Sequence, residues 1–171
     1  MTDYLTGQAF ASLFDSYEHT AFRLEVRDSY LGVPYEQERF RKFMAGEDDE
    51  EQRSRPWLDG VRRRAAEGKT MTRVRVVSVP PTDYARYAFH AAKANIVAGE
   101  DIRYLSRPEA SKLPDYDYWL FDSSRLYRMH YTDEDASLGA EPITDPSTIL
   151  RHAYWRDAAW HHAVPHDQFS F

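Results

Sequence analysis

Cysteine is absent from the 171-residue sequence, and its absence excludes a disulfide framework and a thiolate nucleophile. No apolar run approaches the ~18 residues that a membrane span needs. The first ten residues, MTDYLTGQAF, lack the pattern of a signal peptide. The 7 glycines are scattered, so the sequence has no glycine-rich phosphate loop. We therefore predict a cytoplasmic protein that does not enter the membrane.

The charge balance is acidic, with a net charge of -6, which argues against direct binding to nucleic acid. The run EDDEE at residues 47–51 carries a large part of this negative charge. It predicts a solvated loop, with docking of a basic partner as the alternative. Hydrophobic residues make up 42% and charged residues 29% of the chain, which is typical of a folded domain rather than of disorder.

Hydrophobic periodicity predicts an α/β order of elements. Residues 1–70 predict helices around one half-buried strand, 21–29, with alternating apolar and charged residues. Residues 71–171 predict the α/β core of the same single domain. The predicted elements of this core are strands 72–79, 102–106, 116–121 and 126–131, a helix over 83–98, a loop over 132–144 and a last helix over 146–160. We predict a mixed β-sheet flanked by helices.

The stretch DYDYWLFD, residues 115–122, places three carboxylates at i, i+2 and i+7. This is the spacing of a His-x-Lys-x-x-x-x-Asp motif in which aspartate replaces the first two residues. Alternation along a strand predicts that Asp115 and Asp117 share one solvent-facing side. Asp122 follows the strand and is expected to cap a tight hairpin turn. The strand itself is expected to be central, with Leu120 buried.

The order of strand, helix, short strand, octet and hairpin from residue 72 onward resembles one half of the phospholipase D-like fold. In that family the histidine acts as nucleophile, the lysine binds phosphate, and two half-domains build one site. Asp115 and Asp117 stand at the histidine and lysine positions, and only Asp122 agrees with the motif. A carboxylate repels a phosphodiester. The resemblance therefore implies a phospholipase D-like half-domain that has lost this chemistry.

No recognised pattern of catalytic or metal-ligating residues is present. The three aspartates of the octet do not predict a cation site, because the third lies across the strand from the first two. His162 and His166 have the i, i+4 spacing of helical metal ligands, but Pro165 interrupts a helix there. We predict no metal, no cofactor and no catalytic residue. An enzyme with an unrecognised Asp, Tyr or His site stays open as an alternative.

A group of arginines lies on and beside the predicted sheet. Arg73 and Arg75 alternate on the polar face of one strand, Arg103 begins the next strand, and Arg86 lies on the helix between them. Guanidinium groups clustered near strand ends can bind an anionic small molecule or an acidic peptide. Surface ion pairs with Asp and Glu are the alternative. These arginines and the three aspartates of the octet are the candidate ligand-binding residues.

Aromatic residues make up 15% of the chain and are dense near its C-terminus. The last helix carries Tyr154, Trp155 and Trp160, and the tail adds Phe169 and Phe171. One helix facing a small core needs less aromatic surface than this, and burial between chains would remove an exposed patch. The C-terminal segment is therefore a candidate interface, in a homodimer or in a heterodimer with a regulator.

Four segments carry a family resemblance: WLDGVRRR (57–64), RVRVVSVP (73–80), AGEDIR (98–103) and WLFD (119–122). Together they resemble an uncharacterised actinobacterial domain-of-unknown-function family, often encoded beside helix-turn-helix regulators. The resemblance implies a small cytoplasmic accessory protein with no established catalytic residues. Our first hypothesis is a non-catalytic regulatory module that binds a transcription regulator or a second copy of itself. The other hypotheses are a sensor of an anionic small molecule and the enzyme mentioned above.

Overall fold

A computed structural model describes residues 3–171. Within this range the chain forms seven helices and seven strands. In chain order they are α1 (Gly7–Ala11), α2 (Leu13–Ser16), β1 (Thr20–Glu25), α3 (Pro34–Met44), α4 (Glu50–Arg53), α5 (Pro56–Ala66), β2 (Thr70–Val77), α6 (Asp83–Ala98), β3 (Glu100–Ser106), β4 (Tyr118–Phe121), β5 (Arg125–Tyr131), β6 (Ser137–Ile143), α7 (Pro146–His162) and β7 (Val164–Pro165).

All of these strands belong to one sheet, in the order β6-β5-β4-β1-β2-β3-β7. The pairs β1–β2 and β2–β3 are parallel, and the remaining pairs are antiparallel. The helices α3 to α5, and then α6, make the long connections that parallel strands require. The predicted mixed α/β fold is confirmed. β1, which comes from the N-terminal part of the chain, lies in the middle of the sheet.

The two faces of the sheet bury different kinds of side chains. Phe22 and Leu24 of β1 join an apolar core with residues of α7 on one face. Arg23 and Glu25, which alternate with them, point to the other face. The sequence pattern predicts a half-buried strand, and this prediction is wrong, because Arg23 and Glu25 are only 6% and 5% exposed. Helices cover the polar face as well as the apolar one.

Capping residues explain where the two longest helices begin and end. The Thr82 hydroxyl accepts a hydrogen bond from the main-chain nitrogen of Ala85 at the start of α6. Asp145 does the same for Thr148 at the start of α7. Gly99 ends α6 with a φ of 117°, a left-handed conformation that glycine adopts without strain. Both helices agree with the sequence prediction.

β4 confirms the prediction of a buried central strand. All four of its residues are buried, and Leu120 is 0% exposed. β4 pairs with β1 on one side and with β5 on the other. Asp122 and Ser123 form the tight turn to β5, and both have positive φ. The predicted hairpin is therefore present.

Residues 137–143 form the edge strand β6, where the sequence predicts a loop. β5 pairs with β6 along its length, and an isolated bridge joins Leu5 to Ala140. Gly139 and Pro142 disfavour a central strand, which explains the prediction, but both are tolerated at a sheet edge. The partner strand, rather than local propensity, therefore determines this element.

The acidic run of residues 47–51 is exposed except at Asp49, and its second half enters α4. Asp49 caps this helix. Arg41 donates hydrogen bonds to Glu47 at 3.0 and 3.1 Å, and Arg53 donates to Asp48 at 2.6 and 2.9 Å. Much of the negative charge of the run is thus neutralised within the chain.

Candidate functional site

A cleft of about 570 Å³ lies between the polar face of the sheet and the helices that cover it. One wall is a face of α6 made by Tyr84, Tyr87, Ala88, Ala91, Ala92 and Asn95. The opposite wall comes from α3 to α5 and includes Tyr35, Glu36, Arg39, Gln52, Arg55 and Trp57. The floor includes Glu25, Arg73, Arg75 and Ile102 of the sheet. The cleft is therefore lined by aromatic rings and by charged groups of both signs.

The floor of the cleft is a network of buried ion pairs centred on Glu25. Arg73 Nη1 donates to Glu25 Oε1 at 2.6 Å, and Arg75 Nε donates to Oε2 at 2.7 Å. Arg23 Nε lies 3.8 Å from Oε1. Burial alone would raise the pKa of Glu25, but the three neighbouring positive charges outweigh it and lower the pKa to about 2. Glu25 is therefore ionised at neutral pH and is a poor general base.

On the α6 side the network runs through Glu100 to the cleft wall. Arg73 Nε donates to Glu100 Oε1, and Asn95 Nδ2 donates to Glu100 Oε2, both at 2.7 Å. Asn95 Oδ1 accepts a hydrogen bond from Arg55 Nη2 at 2.6 Å. Both carboxylate oxygens of Glu100 are thus occupied, and the carboxylate holds Arg73 and Asn95 in place.

Asp117 ends the network on the β4 side. Its Oδ2 accepts hydrogen bonds from Arg23 Nη2 at 2.8 Å and from the Tyr30 hydroxyl at 2.7 Å. Its Oδ1 accepts one from the main-chain nitrogen of Val26 at 2.8 Å. The Tyr131 hydroxyl lies 3.3 Å from the same Oδ2, and burial raises the pKa of Tyr131 to about 12. Asp117 therefore orients Arg23 of the buried network and two tyrosines that line the cleft.

Two arginines of the cleft wall are less well paired than those of the floor. Arg55 donates to neutral acceptors only, the main-chain oxygen of Gln52 at 2.9 Å and the Asn95 side chain. Arg39 is 15% exposed at its side chain, and its nearest carboxylate oxygen, of Glu36, is 3.5 Å away. Burial and the positive charge of Arg39 lower the pKa of Arg55. Arg39 also lies 4.0 Å from Asp49, so Arg55 is the guanidinium of this wall that has no carboxylate partner among the described residues.

A family model described as "Domain of unknown function (DUF6879)" matches residues 8–170 of the sequence. The chain belongs to the DUF6879 family. This match confirms the predicted resemblance to a domain-of-unknown-function family. No curated protein matches the sequence.

Among solved structures, the DUF6879 domain is similar to Nuc from Salmonella typhimurium, which is described as a phospholipase D family member. The TM-score is 0.51 and the sequence identity 11%, and the match covers 90% of this chain and 86% of that chain. An identity this low shows a shared fold and carries no activity with it. The predicted phospholipase D-like fold is thus confirmed.

The aspartates of the octet are separated in the DUF6879 domain. Asp115 is exposed, whereas Asp117 is 1% exposed. The prediction that both face solvent is therefore wrong for Asp117, because β4 begins only at Tyr118 and the charged network draws Asp117 inward. Neither residue lines the cleft. The candidate role of this pair in direct ligand binding is not supported by their positions.

Asp122 caps the turn after β4, as predicted, and it also holds the start of β1. Its carboxylate accepts hydrogen bonds from the main-chain nitrogens of Glu18, His19 and Thr20 at 3.0, 2.8 and 3.0 Å. Burial alone would raise the pKa of Asp122, but these hydrogen bonds lower it to about 2. Asp122 lies outside the cleft, so its position indicates a structural role rather than ligand binding.

The four candidate arginines do not form one group. Arg73 and Arg75 line the cleft, in agreement with their predicted place on one strand face. Arg86 is exposed on α6 and pairs at 3.2 Å with an aspartate three residues earlier in the same helix. The Arg103 guanidinium carbon lies 3.8 Å from the ring centroid of Trp160, which packs against the core on the α7 face. Arg86 and Arg103 therefore lie outside the cleft, and their role in ligand binding stays a prediction.

The aromatic residues of the C-terminal segment are partly used within the chain. Trp160 packs against the core, and Phe169 stacks on a buried tyrosine of β3 with ring centroids 4.9 Å apart. Trp155 is half-buried and contacts a histidine of α7. Tyr154 and Phe171 are 68% and 40% exposed. Of the five candidate interface residues, Tyr154 is the most accessible to a partner.

Residues 3–171 contain no group of three or more His, Cys, Asp or Glu side chains arranged to hold a metal ion. His162 is exposed, and His166 stacks on Phe89 with ring centroids 4.1 Å apart. Over the same part of the chain, no helix is long and apolar enough to cross a membrane.

Sequence reasoning missed Glu25, Arg39, Arg55 and Tyr30 as site residues. A signal for Glu25 was present, because β1 and β2 both carry charged residues at alternate positions, and their parallel register places Glu25 beside Arg75. For the two arginines of the wall no local signal exists. They meet the sheet only because α3, α4 and α5 fold back over it.

Proposed function

We propose that the cleft binds a small anionic molecule and that the DUF6879 domain is a non-catalytic sensor of this ligand. The cleft volume of about 570 Å³ lies in the range of roughly 300–1,000 Å³ that small-molecule sites occupy. Its floor is fixed by the buried network, so the ligand would meet a preorganised surface. The paired carboxylates of the floor offer no free base for catalysis, which favours binding over chemistry.

The main support for this proposal is that Arg55 has no carboxylate partner among the described residues. Its guanidinium donates to a main-chain oxygen and an amide oxygen, and no carboxylate among residues 3–171 forms an ion pair with it. A half-buried cation without an anionic partner is unfavourable, and a ligand carboxylate or phosphate would supply the missing charge. Arg39, which lies 3.5 Å from Glu36 and 4.0 Å from Asp49, provides a second guanidinium on the same wall. Guanidinium groups bind such anions through paired N–H donors.

A thermal-shift screen against phosphorylated and carboxylated metabolites tests the proposal. At a ligand concentration of 100 Kd, binding stabilises a protein by about 2.7 kcal/mol, or roughly 5–10 °C for a domain of this size. Arg55→Gln should abolish the shift. Arg86→Gln is the matched control, because Arg86 is exposed and lies outside the cleft. The absence of a shift with every anion, or a shift that Arg55→Gln leaves unchanged, would refute this function.

Binding of a protein partner is a second candidate, favoured by the exposed face of α7. Leu150 and Tyr154 lie one turn apart on this helix and are 73% and 68% exposed. Arg151 and Asp157 are equidistant in sequence from Tyr154 and carry opposite charges, and Asp157 also accepts a hydrogen bond from Arg156 of the same helix at 2.8 Å. Two copies of α7 packed antiparallel about Tyr154 would place each arginine near the aspartate of the other copy, as a two-fold interface requires. We therefore propose a second copy of the chain as the partner.

Light scattering at high micromolar concentration tests this assembly. We expect a homodimer that Tyr154→Ser converts to a monomer, whereas Val97→Ser, at an 83% exposed position of α6, leaves it intact. A wild-type monomer would contradict the proposal. A heterodimer with a helix-turn-helix regulator in the cytoplasm is the other form of the partner hypothesis, and co-purification with the neighbouring regulator tests it.

A further inference from the structure

The cleft is elongated along α6. Tyr84 lines it near the start of the helix and Asn95 near the end. The 11 residue steps between them at a rise of 1.5 Å correspond to about 16 Å. On the floor, Arg73 lies toward the Asn95 end of the cleft, because Glu100 accepts hydrogen bonds from both Arg73 and Asn95. The cleft therefore has two ends, one near Asn95 and one near Tyr84.

The end near Asn95 is cationic through Arg55, because Arg73 is already paired with Glu25 and Glu100. Arg55 is hydrogen-bonded to Asn95. Burial and the positive charge of Arg39 lower the pKa of Arg55, whereas the negative charge of Glu36 raises it. Arg55 is linked to Arg73 at this end by hydrogen bonds through Asn95 and Glu100. Arg73 donates hydrogen bonds through Nε and Nη1 to the carboxylates of Glu100 and Glu25. Arg55 donates only to uncharged oxygens. This end is suited to a group with several negatively charged oxygens, such as a phosphate.

The end near Tyr84 is aromatic. The Tyr84 ring centroid lies 6.0 Å from that of Tyr30, and the Tyr30 centroid lies 5.6 Å from that of Tyr131. All three tyrosines line the cleft. Beside them, Arg75 Nη1 is buried and has no hydrogen-bond partner among residues 3–171. Such an end is suited to a planar ring that stacks on tyrosine and accepts one hydrogen bond.

We infer that the ligand is a nucleoside monophosphate or a molecule of the same design, with its phosphate at the Asn95 end and its planar ring at the Tyr84 end. This inference rests on the proposed function and adds the class of ligand and its direction in the cleft. In a nucleotide the sugar separates the phosphate from the base, which matches the separation of the cationic and aromatic ends. The base would also provide a nitrogen or oxygen acceptor for Arg75.

Calorimetric titration with matched probes separates the two ends. The probes are AMP, GMP, CMP and UMP, together with adenosine, ribose 5-phosphate and inorganic phosphate. At least one nucleotide should bind about tenfold or more tightly than ribose 5-phosphate, because stacking of a base on an aromatic side chain has this magnitude. Adenosine should bind weakly because it lacks the phosphate.

Two variants assign the ends. Arg55→Gln should weaken the nucleotide and ribose 5-phosphate alike, whereas Tyr84→Leu should weaken the nucleotide and leave ribose 5-phosphate unchanged. If Tyr84→Leu does not fold, saturation-transfer NMR on the wild-type protein replaces it, and strong transfer to the base protons is then expected.

The outcomes distinguish this inference from the proposed function. Nucleotides that bind no better than ribose 5-phosphate, or saturation transfer confined to the sugar protons next to the phosphate, would overturn the two-ended ligand. Anion binding that depends on Arg55 would still stand in that case. If no probe binds but another anion from the screen does, the inference fails and the proposed function survives. If no anion of any kind binds, both fail.

Discussion

Replacement of Glu25 by glutamine should strongly destabilise the domain. The change keeps the side-chain shape but removes the negative charge that Arg73 and Arg75 contact at 2.6 and 2.7 Å. It also places amide N–H groups against guanidinium N–H groups. Breaking one side of a buried ion pair costs about 3–5 kcal/mol. For a domain of this length we expect a fall in Tm of roughly 6–20 °C.

The pH dependence of stability gives a second measure of the same interaction. The folded pKa of Glu25 is about 2, whereas a glutamate in an unfolded chain has a pKa of about 4.3. Its contribution to stability is therefore fully present above about pH 4.3 and is lost as the pH falls toward 2. The total loss corresponds to about 3 kcal/mol. Glu25→Gln should remove this component of acid unfolding.

Urea unfolding followed by tryptophan fluorescence and circular dichroism measures both effects. Glu38→Gln is the control, since Glu38 is 53% exposed and pairs with Arg41 on the surface of α3. Its unfolding curve should coincide with that of the wild type. If Glu25→Gln lowered the free energy of unfolding by less than about 1 kcal/mol, the view of Glu25 as the centre of a buried network would be wrong.

Four further predictions concern the hydrophobic core, the turn at Asp122, the loop at Gly32 and the hydrolysis of a phosphodiester. Leu120→Ala should lower the free energy of unfolding by about 2–5 kcal/mol, while Val97→Ala, at an 83% exposed position, should leave it unchanged, and equal effects would contradict the assigned burial. Asp122→Ala should lower it by about 2–3 kcal/mol, because three main-chain donors lose a charged acceptor, and an unchanged urea midpoint would contradict this. Gly32→Ala should lower Tm, because a methyl group there would overlap the main chain of Ala136, and an unaltered Tm would contradict this close packing of the two loops. The wild-type protein should not hydrolyse bis(p-nitrophenyl) phosphate in a spectrophotometric assay, and turnover that Asp122→Ala abolishes would contradict the loss of phosphodiesterase chemistry.

Local signals in the sequence were sufficient for the elements whose ends are capped and whose faces are regular. Proline and aspartate at the start of α7, threonine at the start of α6 and glycine at its end predict these helices because the capping groups act within a few residues. The apolar run of β4 and the tight turn after it predict a hairpin for the same reason. Together with the order of elements, these signals predict the mixed sheet and its phospholipase D-like arrangement.

The tertiary structure alone decided which alternating residues form the site. A period of two shows that Arg23 and Glu25 share a face of β1, but it does not show whether that face is covered. The cover comes from α3 to α6, which are distant in sequence. The same helices bring Arg39 and Arg55 to the cleft, and no local pattern marks either residue.

The positions of the candidate residues also depend on contacts between residues that are distant in sequence. Arg73 and Arg103 lie on neighbouring strands, yet they point to opposite faces, because the register between β2 and β3 pairs Arg73 with Ile102 rather than with Arg103. Asp117 precedes its strand and turns inward to Arg23, where an unpaired buried charge would be unfavourable. Side-chain alternation is a property of the local chain, whereas register, cover and charge pairing are long-range properties that arise only when the sheet and its helices assemble.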